Sequence, residues 1–419
     1  MALMTPHGAT AEKIHVSELA RWAASVIPFY RDHLADVRTY DLQSLPSFDK
    51  HATAGYGSFP LTAGGPAGAQ RVFATSGTTG DRLYVAFERS DHERVGNWLE
   101  AVGERAGLAS ADVLLNTHCY GLWVGGPVLD LLAYRAGACV VPLGPGSPSG
   151  VLHMLNSGVG TAISATPSYF RRLIEVAEAT SFDLTATGLR LGFVGAELAE
   201  PSLRRKLLSR MPKGFRWVEL YGLTETFGPS VAFGPDPGIA ELELNIGDFH
   251  VEVLGFDADR PVPAGEVGEL TLTSRRFSRT PLIRYRTKDL ARVTAGSADA
   301  PTKISRILGR ADDALKIGGV LMYPTAVAEI VTGLLPPSAE WLGTVRRHGH
   351  DDELVLEVEA DEELCEAVEV AFAERVGLEV TVIAAEAAAL ARSHEKTRRI
   401  LIEVADPAAP RPGRRSSCG

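Results

Sequence analysis

Strand-like and helix-like segments alternate along residues 68–220, and this alternation limits the fold more strongly than any other feature of the sequence. Each strand-like segment is a short apolar run, separated from the next by a longer stretch of helical character. This order predicts an α/β fold in which helices pack against a mostly parallel sheet. The predicted strands cover residues 113–116, 138–142, 161–164, 189–194 and 217–220.

Local signals also predict several helices. The amphipathic segment at residues 11–34 predicts an N-terminal helix. Ser90 and Glu93 have capping-box spacing, which predicts a helix over residues 90–105. Thr166 followed by Pro167 predicts another helix start, because threonine is a good N-cap and proline suits the first helical position.

The character of the sequence changes twice after residue 234. Gly/Pro turns join strand-like segments at residues 249–256, 268–274 and 283–293, which predicts a small antiparallel β unit. Beyond residues 310–313, the pattern predicts a separate small α+β domain. Its predicted order is helix, strand, strand, helix, strand, at residues 324–334, 341–346, 353–358, 362–376 and 379–383.

These changes divide the chain into domains. We predict a large N-terminal domain at residues 1–310 and a small C-terminal α+β domain at residues 311–405. Residues 406–419 are rich in Pro, Arg and Ser and show no periodic spacing of apolar residues. We therefore predict that they form a disordered tail.

The charge balance excludes some functions. The chain has 419 residues, with 52 acidic and 42 basic side chains and a net charge of −10. Nucleic-acid affinity comes largely from clustered Lys and Arg, so this balance argues against a nucleic-acid partner. No stretch reaches the ~18–20 apolar residues that span a bilayer, and the N-terminus lacks a secretory pattern. We therefore expect a cytoplasmic protein with no membrane partner.

A hydroxyl-rich turn follows the apolar run at residues 72–74. Its glycines let the backbone bend tightly and expose N–H groups, and its hydroxyls add donors, so the turn could hold phosphates. It lacks the spacing and the Lys-Ser/Thr pair of a Walker loop. By itself, such a cluster is more often an ordinary turn. Its residues are Thr75, Ser76, Gly77, Thr78, Thr79 and Gly80.

Two glycine-containing segments directly follow predicted strands. In open α/β sheets, ligands bind beyond the carboxyl ends of the strands. Glu225 lies at such a place, and a carboxylate is a suitable hard ligand for a Mg²⁺ ion that bridges phosphates. Each segment could equally be a helix-initiating turn with a solvated glutamate. The segments are Gly195, Ala196 and Glu197 after one strand, and Tyr221, Gly222, Leu223, Thr224 and Glu225 after another.

Charged residues later in the chain could recognise a nucleotide. Asp289 could accept hydrogen bonds from both hydroxyls of a ribose. Arg310 could bind a phosphate through its planar fork. Either residue could equally form a surface ion pair. Lys396 lies in the polar segment at residues 393–400, where a lysine is by itself no more than a solubilising charge.

Taken together, these motifs resemble those of the acyl-adenylate-forming superfamily, which includes acyl-CoA ligases, luciferase and the adenylation domains of peptide synthetases. They occur in the same order and at similar spacing, from about residue 21 to about residue 400. The short length, together with residues 28–30, 120–126 and 281–287, resembles the phenylacetate–CoA ligase branch.

The resemblance implies a nucleotide-binding role for several motifs. Residues 76–80 would wrap the β- and γ-phosphates of ATP, and residues 195–197 would flank adenine, largely through their backbone. Asp289 would hold the ribose, and Arg310 would contact the ribose-phosphate region. Further nucleotide contacts are implied for Tyr221, Gly222 and Thr224.

The resemblance also implies catalytic and moving parts. Lys396 would reach the substrate carboxylate and the α-phosphate, and Glu225 would hold Mg²⁺. The large domain would be the AMP-binding domain, and the small domain would be a mobile lid that swings at Asp312. The acid would bind near Tyr120, Gly121, Trp123 and Gly126.

The implied reaction is activation of a small, aromatic carboxylic acid by ATP, with release of pyrophosphate, followed by transfer of the acyl group to CoA. Gly319 and Leu321 stand where phenylacetate–CoA ligases commonly carry Arg and Asn. A carrier-protein thiol or an amine therefore stays open as the acceptor. A non-catalytic nucleotide-binding relative is a further alternative, which the retained Lys396, Glu225 and Asp289 disfavour. We expect ATP, Mg²⁺ and CoA as cofactors, and a homodimer as in many members of the branch.

Overall fold

The computed structural model of the chain describes residues 14–75, 82–146, 148–234, 241–256, 258–317, 320–336, 338–348, 351–387, 389–390 and 399–404. These residues form two compact units. The first lies within Met1–Ala199 and Arg204–Asp312, and the second within Glu200–Leu203 and Asp313–Gly419. Whether the units act as an AMP-binding domain and a mobile lid stays a prediction.

The helices before residue 312 begin with α1 and α2 at the N-terminus. The predicted single helix at residues 11–34 is wrong, because the chain leaves helical geometry at Ile27, with φ −114° and ψ 115°. The cause is Pro28, which disfavours the helical region for the residue before it and then starts a new helix. The helices are α1 Val16–Val26, α2 Pro28–His33, α3 Arg89–Ala106, α4 Gly125–Arg135, α5 Pro148–Asn156, α6 Pro167–Ala179 and α7 Pro201–Leu208.

The strands of the first unit form one long sheet and a separate hairpin of β1 and β2. The order in the long sheet is β10-β11-β12-β13-β9-β8-β7-β6-β5-β3-β4, with β14 beside β12. The strands are β1 Arg71–Ala74, β2 Tyr84–Phe87, β3 Val113–Asn116, β4 Cys139–Pro142, β5 Ala162–Ala165, β6 Leu191–Val194, β7 Arg216–Leu223, β8 Gly228–Gly234, β9 Glu241–Leu244, β10 Phe249–Leu254, β11 Val267–Ser274, β12 Tyr285–Ser297, β13 Ala300–Ser305 and β14 Gly309–Arg310.

The run β4-β3-β5-β6-β7 is parallel throughout. It confirms the predicted α/β fold class and the five predicted strands, whose ends differ from the prediction by no more than three residues. The antiparallel strands predicted after residue 234 are also confirmed, as β10, β11 and β12. They do not stand apart, however: β12 is long enough to pair with both β11 and β13, which joins them to the parallel run.

The two predicted helix caps have different outcomes. The cap at Thr166 is confirmed, since its Oγ1 accepts a hydrogen bond from the N–H of Tyr169 at 3.2 Å. The capping pair predicted for α3 is wrong: Glu88 is the N-cap, and its N–H donates to Asp91 at 3.0 Å. Glu93 instead accepts from Arg89 one turn earlier.

The second unit contains a hairpin and a sheet of order β19-β18-β17-β20. Strands β17 and β18 are antiparallel, and both outer pairings are parallel. Every element predicted between residues 324 and 383 is confirmed, and β20 is an element that the sequence analysis missed. The elements are β15 Leu315–Ile317, β16 Val320–Met322, α8 Pro324–Leu334, β17 Trp341–His348, β18 Asp351–Val358, α9 Glu362–Val376, β19 Thr381–Ala384 and β20 Ile400–Val404.

Each unit has its own apolar core. Leu191, Phe193 and Val218 of the parallel strands belong to the core of the first unit. The core of the second unit includes Val345, Leu356 and Phe372. No helix within the described ranges is both long enough and apolar enough to cross a bilayer.

Candidate functional site

The first part of the site is the sharp turn that follows β6. A Cβ at Gly195 would lie 2.7 Å from the carbonyl oxygen of Leu220 on β7, so this close approach requires glycine. Ala196 has a left-handed φ of 68°. The Glu197 carboxylate accepts hydrogen bonds from the N–H and the hydroxyl of Ser168, at 3.1 and 2.8 Å, at the start of α6. The predicted adenine-flanking segment is thus held in place by its own backbone and side chain.

The end of β7 forms the second part. A Cβ at Gly222 would lie 1.9 Å from the carbonyl oxygen of Gly228, so β7 and β8 can approach this closely only with glycine there. A short 3₁₀ turn, Thr224–Thr226, follows directly. Its Thr226 hydroxyl donates to the Gly228 carbonyl at 3.0 Å. The turn fixes Glu225 just beyond the carboxyl end of a parallel strand.

Tyr221, Asp289 and Arg310 meet in one polar cluster. The Tyr221 hydroxyl donates to Asp289 Oδ2 at 2.7 Å, and Arg310 Nη1 donates to Asp289 Oδ1 at 3.2 Å. Asp289 and Arg310 are also cross-strand partners between β12 and β14. Burial, and next the charge of Asp289, raises the pKa of Tyr221 well above its ordinary value, so its hydroxyl stays a donor. Residues separated by up to 89 positions in sequence thus meet in one polar cluster.

A second pair links Glu225 to Tyr285, the first residue of β12. The Tyr285 hydroxyl donates to Glu225 Oε1 at 2.8 Å, and the Glu225 residue is 7% exposed. Burial raises the pKa of Glu225 above its ordinary value, whereas the hydrogen bond from Tyr285 and the charge of Lys50 lower it. Tyr285 and Lys50 therefore partly offset the cost of burying the charged Glu225 carboxylate.

The sequence analysis missed the role of Lys50. It begins the 3₁₀ turn Lys50–Thr53, which Asp49 caps by accepting from the N–H of His51 at 2.9 Å. Phe48, the residue before Asp49, forms a β-bridge with Tyr285, and the N–H of Arg286 donates to the Phe48 carbonyl at 2.7 Å. This anchoring brings a cation from the N-terminal segment within electrostatic range of Glu225. The sequence carries no signal for it beyond an Asp that suits an N-cap.

The donor set fits a magnesium ion that is shared with a nucleotide. Among the residues that the structure describes, no group of three or more His, Cys, Asp or Glu side chains is placed to hold a metal ion. Mg²⁺ in phosphate-transferring sites is bound by one or two carboxylates, with waters and substrate phosphates as its other ligands. Glu225 would supply one such carboxylate, and its binding of Mg²⁺ stays a prediction.

The predicted acid-binding segment runs from a turn into the first residues of α4. Gly121 has a left-handed φ of 77°, and a Cβ at Gly126 would lie 2.7 Å from the Cys119 carbonyl. The Tyr120 hydroxyl donates to Asp130 at 2.9 Å, while Trp123 is 39% exposed. Tyr120 is thus fixed through its polar end, and Trp123 offers an apolar surface.

Two predicted groups lie outside the described residues: the turn of Ser76, Gly77, Thr78, Thr79 and Gly80, and Lys396. Gly319 also lies outside them. The base of the turn is described: the N–H of Thr75 donates to the Leu83 carbonyl at 3.0 Å, and the N–H of Leu83 donates to Thr75 Oγ1 at 3.1 Å. The roles of residues 76–80 and of Lys396 stay predictions.

Comparison with known proteins gives the family. Residues 71–279 match the AMP-binding enzyme family, and residues 319–403 match its C-terminal domain. Phenylacetate-coenzyme A ligase of Escherichia coli is 30% identical over 351 residues, which is 79% of this chain and 78% of that protein. The same-named enzyme of Thermus thermophilus is 30% identical over 83% of this chain and 80% of its own length.

Solved structures have the same fold. The structure of 2-hydroxyisobutyryl-CoA ligase in complex with 2-HIB-AMP, in the postadenylation state, aligns with a TM-score of 0.80 at 19% identity. The alignment covers 96% of this chain and 94% of that one. At this identity, the likeness supports the fold alone.

The family matches and the 30% identical relatives define an AMP-binding enzyme of the acyl-adenylate-forming superfamily. Within it, the chain belongs to the phenylacetate–CoA ligase-like branch. This confirms the resemblance found in the sequence.

Proposed function

We propose that this enzyme uses ATP to convert a small aromatic carboxylic acid to its acyl-adenylate and then passes the acyl group to the thiol of CoA. The general class, an AMP-forming acid–thiol ligase, follows from the family. The observation that carries the proposal is the cluster of Tyr221 on β7, Asp289 on β12 and Arg310 on β14. A buried carboxylate with a neighbouring tyrosine and arginine suits a ribose 5′-phosphate, because the carboxylate accepts from hydroxyls and the arginine binds phosphate.

The first half-reaction forms a bond between a carboxylate oxygen and the α-phosphorus and breaks the bond to pyrophosphate. Two anions must approach each other, so cations have to neutralise the charge that builds on the phosphate oxygens. We assign this task to Lys396 and Arg310. Lys396 is a compact charge on a flexible stem, which suits delivery by a moving segment.

The remaining nucleotide contacts follow from the local geometry. We assign the adenine to the turn of Gly195, Ala196 and Glu197, whose backbone is fixed by the Ser168 contacts. The β- and γ-phosphates are assigned to residues 76–80. Magnesium bound at Glu225 would neutralise charge on the departing pyrophosphate.

In the second half-reaction, the thiolate of CoA attacks the acyl carbonyl carbon, and AMP leaves. CoA as the acceptor is supported by the related phenylacetate-coenzyme A ligases and by the solved structure of 2-hydroxyisobutyryl-CoA ligase in complex with 2-HIB-AMP and CoA. An aromatic acid is supported by the phenylacetate ligases and by the exposed Trp123 near Tyr120.

Acid-dependent exchange of pyrophosphate into ATP tests the first half-reaction. The panel contains aryl, amino-aryl and short aliphatic acids, each assayed with and without CoA, and mass spectrometry identifies the products. We expect exchange with aryl acids alone and an aryl-CoA thioester once CoA is added. Exchange without any thioester would support a carrier protein or an amine as the acceptor. If no acid stimulates exchange, the proposal fails.

A further inference from the structure

Carboxylates occupy two different edges of the Arg310 guanidinium. Nη1 donates to Asp289 Oδ1 at 3.2 Å. The other edge, formed by Nε and Nη2, donates to the two oxygens of Asp312 at 3.0 and 2.9 Å. Such a paired, parallel contact is the geometry with which arginine binds a carboxylate or a phosphate. The Arg310 edge best suited to phosphate is therefore filled by a carboxylate of the same chain.

This pair is accessible to solutes. The Arg310 and Asp312 side chains are 32% and 28% exposed, whereas those of the ion pair between Arg284 and Glu252 are 1% and 2% exposed. Exposed ion pairs contribute little net free energy, because water screens the charges and competes for the hydrogen bonds. A second anion can therefore compete for Arg310.

The two partners are anchored unequally. Arg310 lies on β14, where its backbone pairs with Asp289 of β12. Asp312 lies two residues later, in the short 3₁₀ turn Ala311–Asp313. A small rotation within this turn can withdraw the Asp312 carboxylate while Arg310 keeps its contact with Asp289.

We propose that Asp312 is a charge gate of the nucleotide site, whose carboxylate must leave the fork of Arg310 before a phosphate group of the nucleotide can bind there. The inference rests on the proposed function. The exchange replaces one anion on Arg310 by another, so Arg310 keeps a partner, while the displaced Asp312 carboxylate, which is partly exposed, is solvated by water. Asp312 accordingly lowers the affinity of the site for the phosphate of a nucleotide and not for its nucleoside.

The test compares binding of adenosine and AMP by calorimetry to the wild-type enzyme and to Asp312→Asn. We expect the variant to bind AMP about two- to fivefold more tightly, the scale of a partly exposed ion pair, and to bind adenosine with unchanged affinity. Asp312→Ser is a second variant with the same expectation. Asp313→Asn is the matched control, since it removes the same charge one residue further on. It should leave the ratio of the two affinities unchanged.

The Arg310→Gln background separates a specific gate from general charge repulsion. There, adding Asp312→Asn should no longer change the AMP affinity. The gate is overturned if the ratio of AMP affinity to adenosine affinity is the same in the wild type and in Asp312→Asn. It is also overturned if Asp312→Asn still raises the AMP affinity in the Arg310→Gln background. Either result leaves the nucleotide site in place. If the wild type binds neither ligand, the proposed function fails, and the gate fails with it.

Discussion

Tyr285 donates its hydroxyl hydrogen to Glu225 across 2.8 Å, although the two residues lie 60 positions apart in the sequence. The donor stands at the start of β12 and the acceptor in the turn after β7, so the bond ties the antiparallel part of the sheet to the end of the parallel part. It stabilises the charged form of a buried carboxylate, which is the form that a metal requires.

This contact leads to a pH prediction. Burial raises the pKa of Glu225 above its ordinary value, so the carboxylate takes up a proton as the pH falls through a range above that of an exposed glutamate. Tyr285→Phe removes a donor that favours the charged form, so the pKa of Glu225 should rise further. We expect the acid limb of the pyrophosphate-exchange profile to move to higher pH.

Two variants control this experiment. Lys50→Met should move the limb in the same direction, because the Lys50 charge also lowers the pKa of Glu225. Tyr56→Phe removes a similar hydroxyl contact, to Asp32 at 3.0 Å, in another part of the unit and should leave the limb in place. An unmoved limb in Tyr285→Phe would show that Glu225 does not control activity.

The assignment of Asp289 predicts a loss of ribose recognition. Asp289→Ala removes the carboxylate that would accept from the ribose hydroxyls, and each such bond to a charged group contributes about 1.5–3 kcal/mol. We expect weaker binding of ATP and loss of discrimination against its 2′- and 3′-deoxy forms, measured by calorimetry. Tyr221→Phe leaves the carboxylate in place and should have a smaller effect. Full discrimination in Asp289→Ala would contradict the assignment.

The sequence predicts elements better than contacts. The parallel strands and the Thr166 cap were predictable because their signals are local: short apolar runs, and a threonine before a proline. The α3 cap was wrong because Glu88/Asp91 and Ser90/Glu93 offer overlapping pairs at the same spacing, and only packing decides between them. Strand β20 was missed because the polar residues before it favoured a loop.

In the site, too, the local segments could be predicted and the long-range contacts could not. The segments that carry Gly195, Glu225 and Asp289 could be found because each follows or lies within a recognisable strand. Their partners could not be found, since the electrostatic interaction between Lys50 and Glu225 depends on how residues 48–53 pack against β12. Such long-range placement has no sequence periodicity that would reveal it.

Lys396 is predicted to act mainly in the first half-reaction. Lys396→Ala should slow adenylation about 10²- to 10³-fold, the usual scale for one electrostatic stabiliser of a transition state. Lys213→Ala, at an exposed position, is the matched control and should keep the wild-type rate. Thermal unfolding would show whether both variants are folded. A folded Lys396→Ala enzyme with an unchanged exchange rate would reject the role.

The close approach of β7 and β8 predicts a stability difference between two glycines. Gly222→Ala places a Cβ 1.9 Å from a backbone oxygen, which no side-chain movement can relieve. We expect a loss of about 3 kcal/mol or more in the free energy of unfolding, together with weaker nucleotide binding, because Tyr221 must shift. Gly188→Ala meets no heavy atom within 4 Å and should leave stability unchanged or slightly higher. Urea titration measures both, and equal midpoints for the two variants would mean that the end of β7 does not need its glycine.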